Sequence, residues 1–211
     1  MTQLLYSNPL LFSPGDRMDR DEFLSRWNRM PDVKFAELIE GIVYMPSPIS
    51  REHSRLQGQM AVLLSHYVGH TTTCELLPNG TWHMLESSPQ PDIALALLHQ
   101  YGGRNTTLNG YPQGVPELAV EIARSSRSYD LGPKLALYQR AGVPEYMAVL
   151  VEERRIEWRV LNEDGSYDLL DAKDGTYRSR IFPGLWVNEH AFWAGDTAAM
   201  IATLNEGLAS R

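Results

Sequence analysis

Two short apolar runs constrain this chain more than any other feature. Residues 92–98 (DIALALL) and 117–123 (ELAVEIA) are apolar at nearly every position, yet each run carries an acid. Runs this short, rich in Ile, Val and Leu, read as central strands covered on both faces. Side chains alternate along a strand, so Asp92, Ala94 and Ala96 share one face and Ile93, Leu95 and Leu97 the other. In the second run Glu121 lies with Ala119 and Ala123, opposite Leu118, Val120 and Ile122. Each strand therefore has one bulky face and one face where a carboxylate sits among alanines. If the strands are neighbours, both acids reach one cavity. A buried carboxylate must be paired, protonated or bound to a cation, so two readings stay open: a hard-cation site of oxygen ligands, or carboxylates that serve as ion-pair partners within the sheet.

The rest of the chain supplies helices and hairpins around those strands. A helix is expected over residues 18–29, capped by Asp19 or Asp21, with Phe23, Leu24 and Trp27 inward. Strands over 35–39 and 42–45 meet at the tight turn Glu40–Gly41. Ser50 starts a helix to residue 69 whose stripe is Leu56, Met60, Leu63, Leu64 and Tyr67. A second hairpin, 72–77 with 81–85, is expected around Asn79–Gly80, and 99–116 reads as a loop with a short helical turn. A helix over 127–141 ends at Gly142, with Pro133 in its first turn, where the missing N–H costs little. Strands at 145–151, 156–161 and 167–171 follow, then a helical tail over 187–211 that packs on the outside. The pattern is mixed α/β: an extension (1–17), one domain (18–194) and a C-terminal helical tail (195–211).

Composition removes several function classes. The chain has 211 residues and a formal net charge of −7, which argues against electrostatic coating of nucleic acid. Arg51, Arg55, Arg124, Arg127, Lys134 and Arg140 nevertheless cluster near the acidic strands in sequence. No segment reaches the apolar length of a membrane helix. The apolar run 9–12 has no basic stretch before it and no cleavage-like site after it, so no signal peptide is read. Cys74 is the single cysteine, which excludes an intrachain disulfide and a thiolate metal cluster; a cytoplasmic setting is expected. No GxSxG, Walker or GxGxxG pattern is present.

Three further residues bear on the acidic pair. Lys134 lies four residues from both Asp130 and Tyr138, so the three share a helix side and Lys134 can lean toward the carboxylates; a lone lysine is otherwise a solvated residue. Glu37 alternates with Phe35 and Ile39 and is either a third ligand or a hairpin ion-pair partner. His53 and Gln57 continue the helical stripe, and the plainer reading of partly buried polar residues is preferred for them.

In this order, residues 35–41 (FAELIEG), 45–48 (MPSP) followed by His53, Pro91–Asp92, 120–126 (VEIARSS), 130–134 (DLGPK) and 141–146 (AGVPEY) resemble the Uma-type restriction endonucleases of the PD-(D/E)xK nuclease superfamily. The resemblance spans roughly residues 19–192. It implies a restriction-endonuclease-like fold, a mixed central β-sheet flanked by helices. It implies that Asp92 and Glu121 are the acidic pair binding Mg²⁺ or Mn²⁺, with Glu37 as an additional ligand or water-orienting group. The superfamily lysine stands two residues after the glutamate, where this chain has Ala123; the resemblance transfers that role to Lys134. The chain departs from the family pattern at Arg124–Ser126, where a Ser-Pro-Ser-like stretch is usual, and at Met147, where a Trp is usual. The implied activity is hydrolysis of DNA phosphodiesters, with Arg51, Arg55, Arg124 and Arg127 on the phosphates and a homodimer as a fitting assembly. The alternative is an inactive member that uses the fold to bind nucleic acid or protein.

Overall fold

The computed structural model describes residues 11–211; residues 1–10, and with them most of the expected extension, lie outside it. The chain opens with α1 (Arg20–Trp27), capped by Asp19, whose carboxylate accepts from Glu22 N. The hairpin β1 (Glu37–Ile39) and β2 (Ile42–Tyr44) follows. Its turn places Glu40 at φ 53° and Gly41 at φ 75°, the paired positive φ values of a type I′ turn. Then comes α2 (Arg51–Thr71), capped by Ser50. Strands β3 (Cys74–Pro78), β4 (Ile93–Leu97), β5 (Thr106–Leu108), β6 (Tyr111–Gln113) and β7 (Leu118–Ala123) lead to α3 (Arg127–Tyr129). A π-helical turn, Asp130–Lys134, joins α3 to α4 (Leu135–Ala141). Strands β8 (Glu145–Leu150), β9 (Arg155–Leu161), β10 (Tyr167–Leu169), β11 (Thr176–Arg178) and β12 (Trp186–Asn188) precede α5 (Glu189–Ala194) and α6 (Thr197–Ala209).

The central sheet has six strands in the order β10-β9-β8-β7-β4-β3. Only β7 and β8 run parallel, joined across one face by the α3–α4 segment; the other pairs are antiparallel. The expected two-sidedness holds. Ile93, Leu95, Leu118, Val120 and Ile122 join one core with the stripe of α2 and with Phe192, Met200 and Leu204 from α5 and α6. Ala94, Ala96, Ala119 and Ala123 join a second core with Leu137 and Tyr138 of α4 and with Tyr146. A third cluster, including Phe23, Leu38 and Val43, seats the β1–β2 hairpin on α1. No helix among the described residues is long and apolar enough to cross a membrane.

Four expectations change. Residues 81–85 form no strand: β3 pairs instead with β4, over the five-residue register Cys74↔Leu97 to Pro78↔Ile93. The segment 81–85 makes isolated bridges only and is anchored by its side chains, with Trp82 fully buried. The apolar β4 offers a longer ladder than this segment can. The loop 99–116 holds a hairpin, β5–β6, around Asn109–Gly110, and 187–211 begins inside the β11–β12 hairpin. Pro133 sits inside the helix, not in its first turn. Its ring would crowd the carbonyl four residues back and it has no N–H to donate. The backbone widens into the π turn, so that Leu135 N donates to the Asp130 carbonyl five residues back.

Candidate active site

Asp92 and Glu121 stand side by side because of the strand register. The β4–β7 ladder ends at Ile93↔Val120, and the next step brings Asp92 opposite Glu121. Beyond the ladder the Asp92 side chain replaces the strand partner: its Oδ2 accepts from Ile122 N at 2.7 Å. His53 Nε2 lies 3.2 Å from the same oxygen. Gln57 Nε2 donates to the Asp92 carbonyl at 3.1 Å, tying α2 to the start of β4. Glu121 Oε1 accepts from Tyr138 Oη at 2.8 Å and is 2.6 Å from Lys134 Nζ.

Lys134 is the hub. Its ammonium also lies 2.9 Å from Glu37 Oε1 and donates to the Gln90 carbonyl at 3.3 Å. Glu37 is held in turn by Gln90 N at 2.6 Å and Tyr129 Oη at 3.2 Å. The reading of Lys134 as a solvated residue is overturned: it is 2% exposed. Asp130, Lys134 and Tyr138 are all buried and share one side, as their spacing predicts. Asp130, one turn before Lys134, is the carboxylate that opens the π turn.

The electrostatics follow from burial and crowding. Burial pushes Glu121 well above the usual carboxylate range; Lys134 opposes this, while Asp130, Asp92 and Glu37 add to it. Burial works against the charge on Lys134, but Glu121 and Glu37 outweigh it and hold its pKa well above the ordinary value. Asp130 is pushed up to about 6, chiefly by burial. Burial and Glu121 raise Tyr138 as well, which keeps it a neutral donor. Lys134 thus pairs with two carboxylates, Glu121 and Glu37, while Asp130 and Asp92 add negative charge around Glu121, an arrangement that gains from a further cation.

These groups line one cavity of about 840 Å³. Glu37, Asp92, Glu121, Lys134 and Arg124 line it; Arg51, Arg55 and Arg127 do not. Arg55 pairs with Glu52 on α2 at 2.6 Å, and Arg127 with Glu153 at 2.5 Å. Arg124 faces the cavity but pairs with Glu152 at 3.0 Å. His53 also lines the cavity, against the plainer reading of it. Sequence reasoning missed Tyr129, Gln90 and the carboxylate role of Asp130, and gave Tyr138 the helix side of Lys134 but no role at the site. The shared helix side of Asp130, Lys134 and Tyr138 was the available signal for two of them. Gln90 acts mainly through its backbone, which no side-chain pattern reveals.

Among the described residues, no group of three or more His, Cys, Asp or Glu side chains stands ready to hold a metal ion. The donors present are two adjacent carboxylates, Asp92 and Glu121, at the edge of a roomy, negatively charged cavity. That set suits Mg²⁺, which takes one or two carboxylates, keeps several waters and completes its shell with substrate phosphates.

The six-stranded mixed sheet with helices on both faces, and the acidic cavity at the β4–β7 seam, define a protein of the restriction-endonuclease-like fold. Residues 20–190 match the Uma2 family, described as "Putative restriction endonuclease", and the chain belongs to that family. Its fold is similar to a crystal structure from Anabaena variabilis ATCC 29413 described as "a putative nuclease belonging to DUF820". The two share 17% identity over 84% of this chain and 98% of that one, with a TM-score of 0.65. No curated protein matches the chain.

Proposed function

We propose that the protein is a divalent-metal-dependent endodeoxyribonuclease of the PD-(D/E)xK type. The observation that carries this reading is the convergence of Asp92, Glu121 and Lys134 within one cavity, with Lys134, on the helix that follows, 2.6 Å from Glu121 in a chain that has Ala123 two residues after that glutamate. Asp92 and Glu121 would hold Mg²⁺ or Mn²⁺. When bound, the ion supplies charge neutralisation at the phosphoryl group and a more acidic water. Asp92 is steered by Ile122 N and His53, and Glu121 by the Tyr138 hydroxyl. Lys134 donates to the attacking water or to the phosphoryl oxygen on which charge develops. Glu37 assists by holding Lys134 in place through Oε1, which leaves Oε2, shared with the Tyr129 hydroxyl, as the oxygen that would serve as a ligand. Arg124 offers a phosphate contact at the cavity, with Arg51, Arg55 and Arg127 further out. The lone cysteine fits a cytoplasmic protein, and paired sites in a homodimer fit cutting of both strands.

A test is cleavage of plasmid and oligonucleotide DNA with Mg²⁺ or Mn²⁺ by wild type, Asp92→Ala and Glu121→Ala. Cleavage by wild type alone is expected. Cleavage by either variant at the wild-type rate would sink the assignment.

A second reading is favoured by one contact. Lys134, at 2.6 Å from Glu121, already neutralises part of the acidic pair. An inactive nuclease fold that only binds DNA or protein would keep that ion pair closed, and would bind DNA equally well with EDTA present.

A further inference from the structure

On the footing of the nuclease reading above, we propose that the site acts on single-stranded DNA, or on a strand end that has left its duplex, with a base stacked on the aromatic wall beside Glu37. The β1–β2 hairpin builds that wall. Glu37 pairs with Tyr44 in register, so both side chains rise on one side of the hairpin. Phe35 precedes Glu37 by two residues and lines the same cavity. Tyr44 packs against Tyr129 with ring centroids 4.2 Å apart and planes tilted by 30°, and Tyr129 Oη donates to Glu37. Phe35 is 45% exposed and Ile49 59% exposed, and both belong to the cavity lining. The open part of the Phe35 ring beside the carboxylates offers a flat surface to a base, with Ile49 as apolar surface next to it, and every base has a face that stacks.

Charge and enclosure point the same way. Duplex recognition relies on cations that neutralise phosphates. Here Arg124 and Arg127 are already paired with Glu152 and Glu153, and the chain carries a net charge of −7. On a single strand, the stacking of each base adds to whatever the cations supply. Glu121 has only 4% of its side chain exposed, inside the cavity of about 840 Å³. A volume in that range suits a small ligand or a few units of a flexible chain. A duplex is a stiff rod met through open clefts or through elements laid in its grooves.

The test uses one fluorescein-labelled oligonucleotide, alone and annealed to its complement. Cleavage by wild type with Mn²⁺ is followed on both forms. Binding is followed by anisotropy in the Glu121→Gln background, with and without Phe35→Ala. The expected result is cleavage about tenfold faster on the single strand, and roughly tenfold weaker single-strand binding after Phe35→Ala, the loss of one stacked base. Phe35→Trp should restore binding. Duplex cut as fast as or faster than single strand, or unchanged affinity in Phe35→Ala, would overturn the proposal while leaving a nuclease in place. Cleavage of neither form, with no metal uptake, would remove the nuclease reading and the strand preference together.

Discussion

Where β4 and β7 face α2, their side chains are Ile93, Leu95, Leu118, Val120 and Ile122, all buried; where the same strands face α4, they are Ala94, Ala96, Ala119 and Ala123, with Asp92 just before β4 and Glu121 between the two alanines of β7. The backbone and register are common to both faces. The difference lies in volume. The bulky face fills its space with hydrocarbon and holds the sheet to α2, α5 and α6. The small face leaves room that Tyr138, Lys134 and the carboxylates occupy. One face is therefore a store of stability, and the other exchanges part of that stability for a charged cavity, since buried charge is costly unless paired.

The largest expected effect breaks the site and spares the core. Glu121→Gln keeps a side chain of the same shape beside Tyr138 and Lys134 but lacks the charge. DNA cleavage should fall on the order of a hundred- to a thousandfold, measured as initial rates, with the far-ultraviolet circular dichroism spectrum retained. Wild-type rates would erase the functional distinction between the faces. The reverse case is Leu95→Ala on the bulky face. Denaturant unfolding should show a loss of about 2–5 kcal/mol from the removed side chain and the cavity left behind. A loss no larger than that of an exposed substitution would contradict the assignment of Leu95 to the core.

Asp130 tests what the small face costs. Its folded pKa of about 6 lies above the ordinary 3.8. The folded chain therefore holds this proton more tightly than the unfolded chain. The stability linked to that proton is complete below about pH 4 and is lost as pH rises through about 6. Asp130→Asn removes that loss. Measured without added metal, the variant should gain on wild type across this window, by up to about 3 kcal/mol at neutral pH. A difference that stays flat from pH 4 to pH 7 would contradict it. The smallest effect is expected from Ala119→Leu, which overfills the small face: about 1–3 kcal/mol of destabilisation, with weaker cleavage as Glu121 is displaced.

Much of this contrast was legible in the residues. The alternation of alanines with bulky aliphatics placed Asp92 and Glu121 each on the small face of its strand; that the two strands are neighbours is a matter of long-range pairing that no local pattern carries. The stripe of α2, the Ser50 cap and the Glu40–Gly41 turn were legible for the same reason: each depends on residues close in sequence. What escaped depends on distant partners. Residues 81–85 alternate as a strand does, but β4 outcompetes them for β3. The β11–β12 hairpin has strands of only three residues and little pattern. His53 looked like an ordinary helix residue, because nothing local shows that Asp92 stands 3.2 Å from its ring. The π turn that seats Lys134 follows from Pro133, a residue read as harmless in a first turn.

A cation held by Asp92 and Glu121 on the small face should show in calorimetric titration of Mn²⁺ into wild type and into Glu121→Ala. Saturable uptake by wild type that disappears in the variant is expected; no uptake by wild type, or equal uptake by both, would refute the site.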